Sequence, residues 1–65
     1  MKLLLNGALI DAQVATLADL IAIEGFGGAK VATAVNGTFI PALARVDHIL
    51  SVGDAVEVLA PMQGG

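Results

Sequence analysis

The sequence contains no cysteine, no tryptophan and no tyrosine, and it has a single histidine. Without cysteine, a disulfide, a thiolate metal ligand and a cysteine nucleophile are all excluded. The lone histidine, His48, cannot form a histidine-based metal site by itself, so we expect it to have a structural or surface role. We therefore expect no metal centre and no catalytic residue in this chain.

Basic residues are equally scarce, with three of them against six acidic residues and a formal net charge of -3. Nucleic acids and anionic membranes attract basic patches, so we expect neither as a partner. The six carboxylates are scattered along the chain rather than paired for acid–base chemistry, and we expect them to be solvated or to cap backbone groups. The protein is therefore not expected to be an enzyme.

Long apolar runs are also missing, although 57% of the residues are hydrophobic. The uncharged stretch between Lys30 and Arg45 contains an Asn-Gly pair and a proline, whereas a membrane helix needs about 20 consecutive apolar residues. The start does not resemble a signal peptide, because Lys2 is followed by only three leucines. We expect residues 1–65 to form a single domain located in the cytoplasm.

The first half of the chain predicts a hairpin followed by a helix. Asn6–Gly7 joins the strand-like segments "KLLLN" and "ALID", and such a pair favours a type I′ turn. Thr16 begins the helix in a capping-box pattern with Asp19, and Gly25 is placed to end the helix in a left-handed conformation. The apolar face of this helix carries Leu17, Leu20 and Ile21.

The second half predicts another hairpin, a weakly helical segment and a final strand. Asn36–Gly37 joins "KVATAV" to "TFI", and Pro41 ends the second of these strands. "ALARVDHIL" is weakly helical, and the Gly53–Asp54 turn precedes the last strand, "VEVLA". The predicted fold class is α+β, with one main helix packed on one face of a four- or five-stranded sheet. The other sheet face is then partly open to solvent.

The chain ends in two glycines, Gly64 and Gly65. A glycine segment has no Cβ atoms, so it can enter a narrow channel and leaves a terminal carboxylate unhindered. A domain that has no catalytic residue of its own and that ends in an unhindered carboxylate is suited to be the substrate of another enzyme. We expect residues 61–65 to form a flexible tail.

The segments "LLLNG", "VNGTFIP" and "VGDAVEVLAPMQGG" resemble the ThiS family, the sulfur carriers of thiamine biosynthesis, and the resemblance covers essentially the whole chain. It implies a ubiquitin-like β-grasp fold in which the last strand lies between the others, beside the first. The sequence departs from the family pattern after Pro41. Ala42 and Ala44 stand where members often carry a polar or basic residue and an aromatic one.

The resemblance also implies a chemistry and a set of partners. A ThiF-type adenylyltransferase would use ATP to activate the carboxylate of Gly65. Gly64, which has no side chain, would keep the segment before this carboxylate narrow. A sulfur donor such as a persulfide would then convert the carboxylate into a thiocarboxylate. A thiazole synthase of the ThiG type would accept this sulfur, and the carrier itself would bind no cofactor.

Two alternatives stay open. The small subunit of molybdopterin synthase is a sulfur carrier with the same fold and the same Gly-Gly end, although this chain is short for that family. A ubiquitin-like binding or conjugation module would need no sulfur chemistry at all. Treating the chain with ATP and candidate activating enzymes separates a carrier from such a module.

The register of the second hairpin predicts a docking patch for the partner enzymes. A two-residue turn at Asn36–Gly37 places Ala34 opposite Phe39, on the sheet face opposite to the one that carries Ile40. We expect Ile40 to join the core with Val56 and Val58, while Phe39 and Leu59 point away from the helix. The predicted docking patch consists of Ala34, Phe39, Glu57 and Leu59. The alternative is that Phe39 is a core residue.

Overall fold

The computed structural model describes residues 1–26 and 30–60. The elements, in chain order, are β1 (Lys2–Leu5), β2 (Ala8–Asp11), α1 (Leu17–Ile23), β3 (Ala32–Val35), β4 (Thr38–Ile40), a 3₁₀ helix (Ala42–Asp47) and β5 (Ala55–Leu59). The predicted order of strands and helix is confirmed. The segment predicted to be weakly helical forms the 3₁₀ helix.

The five strands form one mixed sheet in the order β2-β1-β5-β3-β4. Both hairpins pair antiparallel, and β5 pairs parallel to β1 and antiparallel to β3. The last strand therefore lies in the centre, beside the first strand. This is the β-grasp topology, so the predicted fold class is confirmed, with five strands in the described part of the chain.

The two hairpins are closed by equivalent turns. Asn6 and Gly7 have φ of 50° and 84°, and Asn36 and Gly37 have φ of 51° and 83°. Positive φ at both central residues is the signature of the type I′ turn, which matches the twist of the flanking strands. These angles confirm both turns predicted from the Asn-Gly pairs.

Local hydrogen bonds define both ends of α1. The hydroxyl of Thr16 accepts from the Asp19 N–H at 3.1 Å, and the Asp19 carboxylate accepts from the N–H groups of Thr16 and Ala15, each at 3.1 Å. The bonds from Ala15 and Thr16 lower the pKa of Asp19. At the other end, Gly25 has φ of 89° and donates its N–H to the carbonyl of Ala22. The predicted capping box and left-handed end are both confirmed.

The core lies between α1 and one face of the sheet. Its buried apolar residues are Leu3, Ala12, Leu17, Leu20, Ile21, Val35, Ile40, Leu50, Val56 and Val58. One polar residue, Thr33, is buried with them, and its hydroxyl donates to the carbonyl of Ile40 at 2.7 Å. The same hydroxyl accepts from Arg45 Nε at 2.9 Å, and Arg45 Nη2 donates to the carbonyl of Val31 at 2.6 Å. Arg45 thus fastens the 3₁₀ helix to β3.

Candidate functional site: the open face of the sheet and the end of the last strand

The side of the sheet that faces away from α1, called here the open face, carries the residues predicted to dock partners. The pairing of Ala34 with Phe39 and of Thr33 with Ile40 agrees with the predicted register. Ile40 is 8% exposed, whereas Phe39 is 64% exposed and Leu59 is 62% exposed. Phe39 is therefore a surface residue and not part of the core. Its role in docking stays a prediction.

The structure brings the four residues of the predicted docking patch together. Ala34 is paired with Phe39 on one side and with Glu57 on the other. Leu59 is paired with Ala32, two residues further along β5 and β3 and on the same face. A shallow groove of about 190 Å³ runs among these side chains. The small alanines of β3 leave this groove open between the larger residues of β4 and β5.

Two further leucines extend the apolar surface across the first hairpin. Leu4 and Leu9 are cross-strand partners in this hairpin, and they are 37% and 67% exposed. Leu4 also pairs with Ala55 of β5. Neither leucine is among the residues predicted to dock partners, although the register of the Asn6–Gly7 turn, with Leu4 opposite Leu9, places both on the open face. The apolar surface thus crosses all five strands.

A second groove lies on the open face, between β1 and β5. Its volume is about 460 Å³, and Leu4, Ala55, Glu57 and Leu59 contribute to its walls. Glu57 and Leu59 border both grooves, because β5 is the central strand. A partner that covers this face must therefore contact β5, the strand that leads to the C-terminus.

Among the described strand residues, the charged groups on the open face are one central carboxylate and one pair at the edge. Glu57 is exposed in the middle of the apolar surface, and no ion pair to it occurs in the described residues. At the edge, Lys2 Nζ lies 3.5 Å from a carboxylate oxygen of Asp11. The pKa of Asp11 is lowered, mainly by a hydrogen bond from the amino group of Met1. A complementary partner would be apolar, with a cation opposite Glu57.

The last described residue, Ala60, follows β5 at the rim of a third groove of about 540 Å³. Arg45 and Ala42 line this groove, and Ala44 packs against the core instead. The alanine at 42 therefore lines open space near the end of β5. Residues 61–65, which include Gly64 and Gly65 and the predicted flexible tail, lie outside the described residues.

Groups able to perform chemistry do not assemble in the described parts of the chain. Across residues 1–26 and 30–60, no three His, Asp or Glu side chains are arranged to hold a metal ion. His48 is half-buried, and its carbonyl accepts from the N–H of Leu17 at 2.9 Å. In the same two ranges, no helix is both long enough and apolar enough to cross a membrane.

Comparison with known proteins agrees with this architecture. The model of the ThiS family matches residues 3–65. The crystal structure of a thiamine biosynthesis protein (ThiS) from Geobacter metallireducens superposes with a TM-score of 0.81 and 29% sequence identity, and the match covers 100% of both chains. No curated protein matches the sequence. On the evidence of the family match and the shared β-grasp topology, this chain belongs to the ThiS family.

Proposed function

We propose that this protein is a sulfur carrier of thiamine biosynthesis and that Gly65 carries the sulfur as a C-terminal thiocarboxylate. The observation that supports this most strongly is the family match, which extends through Gly64 and Gly65. The absence of cysteine fits a carrier that holds sulfur on its carboxylate rather than on a thiol. The carrier is a co-substrate of its partner enzymes rather than a catalyst.

The proposed chemistry begins with activation of the Gly65 carboxylate. A carboxylate oxygen attacks the α-phosphorus of ATP on the activating enzyme, pyrophosphate leaves, and an acyl adenylate forms. A sulfur nucleophile then attacks the acyl carbon and displaces AMP. When the donor is a persulfide, a thiol reductant must cleave the resulting acyl disulfide to give the thiocarboxylate. Its sulfur then attacks the precursor of the thiazole ring on the thiazole synthase.

The open face supplies the docking surface in this proposal. Exposed apolar surface of this extent on a small protein is typical of an interaction site. Aromatic side chains such as Phe39 frequently dominate the energy of such interfaces. Because β5 both crosses this face and precedes the C-terminal segment in sequence, docking here places the end of β5 at a fixed distance from the interface. We expect the activating enzyme and the synthase to use this face in turn.

The charge of Glu57 gives the docking proposal a specific test. A cationic side chain of the activating enzyme opposite Glu57 would be paired in the complex, so Glu57→Lys would create a like-charge contact. We expect this variant to bind the activating enzyme at least about tenfold more weakly. Asp47→Lys is the matched control, because it makes the same charge change on the 3₁₀ helix. Equal losses in both variants would point to net charge instead of a specific contact.

Intact-mass spectrometry tests the carrier proposal. The protein is incubated with ATP, a ThiF-type enzyme, a sulfur donor and a thiol reductant. We expect the mass gain of one sulfur replacing one oxygen, and we expect none without ATP. A chain lacking Gly64 and Gly65 is the control. A mass gain in that shortened chain would place the sulfur elsewhere and contradict the proposal.

A further inference from the structure

The asparagine of the first hairpin reaches the central strand with both its backbone and its side chain. The Asn6 N–H donates to the carbonyl of Val56 at 2.9 Å. Its side-chain oxygen accepts from the Val58 N–H at 2.8 Å, and its side-chain nitrogen donates to the Val58 carbonyl at 3.2 Å. The backbone pairing of β1 with β5 stops at Leu5 and Val56. The Asn6 amide therefore adds one further rung to the parallel ladder after β1 has ended.

This additional rung lies close to the end of β5. Val58 is followed by Leu59, the last residue of the strand, and by Ala60. The bonds between Asn6 and Val58 are partly buried, so the N–H and carbonyl groups of Val58 would lose their partners in a partly buried position if the Asn6 side chain were removed. The side chain thus holds the part of the strand from which the C-terminal segment departs.

We propose that Asn6 is a positioning residue, which fixes the end of β5 relative to the docking face and thereby supports activation of the C-terminus by the activating enzyme. This inference rests on the proposed carrier function. Gly64 and Gly65 have no side chains that could guide them into an active site. The described part of the chain that lies nearest to them in sequence is the end of β5, and Asn6 holds that end by hydrogen bonds to the N–H and carbonyl groups of Val58.

Asn36 provides a matched control within the same molecule. It occupies the same position in a type I′ turn, with φ of 51° against 50° for Asn6. Its side-chain oxygen accepts from the Ala55 N–H at 3.0 Å, and its side-chain nitrogen donates to Asp54 at 3.0 Å. Asn36 therefore also holds β5, but at the start of the strand rather than at its end.

The test compares Asn6→Gly with Asn36→Gly, because glycine keeps the positive φ of either turn and removes the side-chain bonds. Amide hydrogen exchange of Val58, measured relative to Leu20 in the same variant, should accelerate about tenfold in Asn6→Gly and stay unchanged in Asn36→Gly. This estimate corresponds to the loss of about one net hydrogen bond. Normalising to a helical core amide removes the effect of a general loss of stability.

The second readout is adenylate formation by the activating enzyme. We expect kcat at saturating carrier to fall about tenfold for Asn6→Gly, because fewer docked molecules present Gly65 correctly. The dissociation constant should stay unchanged, because the role proposed for Asn6 acts through Val58. Asn6 also lines the groove between β1 and β5, so a weaker affinity at an unchanged kcat would assign it to a docking contact and overturn the inference. Asn36→Gly should match the wild type in both values. Asn6→Asp retains the acceptor for the Val58 N–H, so we expect an intermediate kcat. It also replaces Asn6→Gly if that variant does not fold.

The outcomes separate this inference from the function on which it rests. If the wild type forms adenylate and Asn6→Gly does so at the same kcat, the positioning role is wrong and the carrier function stands. Equal losses of kcat in Asn6→Gly and Asn36→Gly would indicate that Asn6 only stabilises the fold in general, and this result would also overturn the inference. If the wild type forms no adenylate, the carrier function itself fails, while hydrogen exchange still tests the clamp on Val58.

Discussion

Truncating Phe39 to alanine should have a small effect on stability and a large effect on binding. Fully burying a phenylalanine side chain contributes about 1.5–3 kcal/mol. Phe39 is 64% exposed, so only about a third of that contribution applies, and we expect a loss of about 0.5–1 kcal/mol in the free energy of unfolding. Since the side chain lies on the surface, its removal leaves no closed cavity to add to this cost.

The neighbouring residue Ile40 provides the contrast for stability. Ile40 is 8% exposed and packs under α1, so Ile40→Ala should cost about 2–5 kcal/mol, as is usual for core truncations. For a 65-residue domain the total stability is roughly 3–10 kcal/mol, so this variant should be severely destabilised. Urea unfolding followed by circular dichroism measures both losses.

Binding to the activating enzyme is the second half of this test. If Phe39 anchors the docking face, Phe39→Ala should weaken the affinity, measured by calorimetry, at least about tenfold. Leu43→Ala is the control, because Leu43 is 93% exposed on the 3₁₀ helix and lies off the open face. A stability loss for Phe39→Ala as large as that of Ile40→Ala would refute the reasoning. An unchanged affinity would refute it as well.

Two other predictions concern stability. Thr33→Val keeps the shape of the side chain but leaves Arg45 Nε and the Ile40 carbonyl without their hydrogen-bond partner. We expect the free energy of unfolding, measured with urea, to fall by about 1–3 kcal/mol. A fall of less than about 0.5 kcal/mol would contradict the role of these hydrogen bonds. The pKa of Asp54 is lowered, mainly because its carboxylate accepts a hydrogen bond from the Ser51 N–H. The ionised carboxylate therefore stabilises the fold fully at pH values well above the ordinary pKa of 3.8, and this stabilisation is lost as the pH falls through the lowered pKa. The urea midpoint of the wild type should therefore fall more steeply in this acid range than that of Asp54→Asn, and parallel curves would contradict the assignment.

The features that the sequence predicts well are those that depend on neighbouring residues. The type I′ turns follow from the Asn-Gly pairs, because few residues other than glycine and asparagine tolerate positive φ there. The capping box follows from the spacing of Thr16 and Asp19. The exposure of Phe39 follows from the alternation of side chains in a short hairpin. Each of these depends on fewer than about ten consecutive residues.

The features that the sequence analysis missed join distant parts of the chain. Asn6 was predicted as a turn residue, but its side chain also binds Val58, a contact that only the central position of β5 makes possible. The bond from Arg45 to the buried Thr33 depends on how the 3₁₀ helix packs on β3, which no local pattern specifies. Positions on the open face were predictable in principle, whereas these polar contacts required the assembled fold.

The most direct test of the proposed function follows sulfur from the carrier to the product. The protein is loaded with radioactive sulfur by its activating enzyme, purified, and mixed with a thiazole synthase and its substrates. We predict that the label leaves Gly65 and appears in the thiazole, with no label transferred in a parallel reaction with the large subunit of molybdopterin synthase. Label that stays on the protein in the first reaction, or that enters molybdopterin in the second, would contradict the role in thiamine biosynthesis.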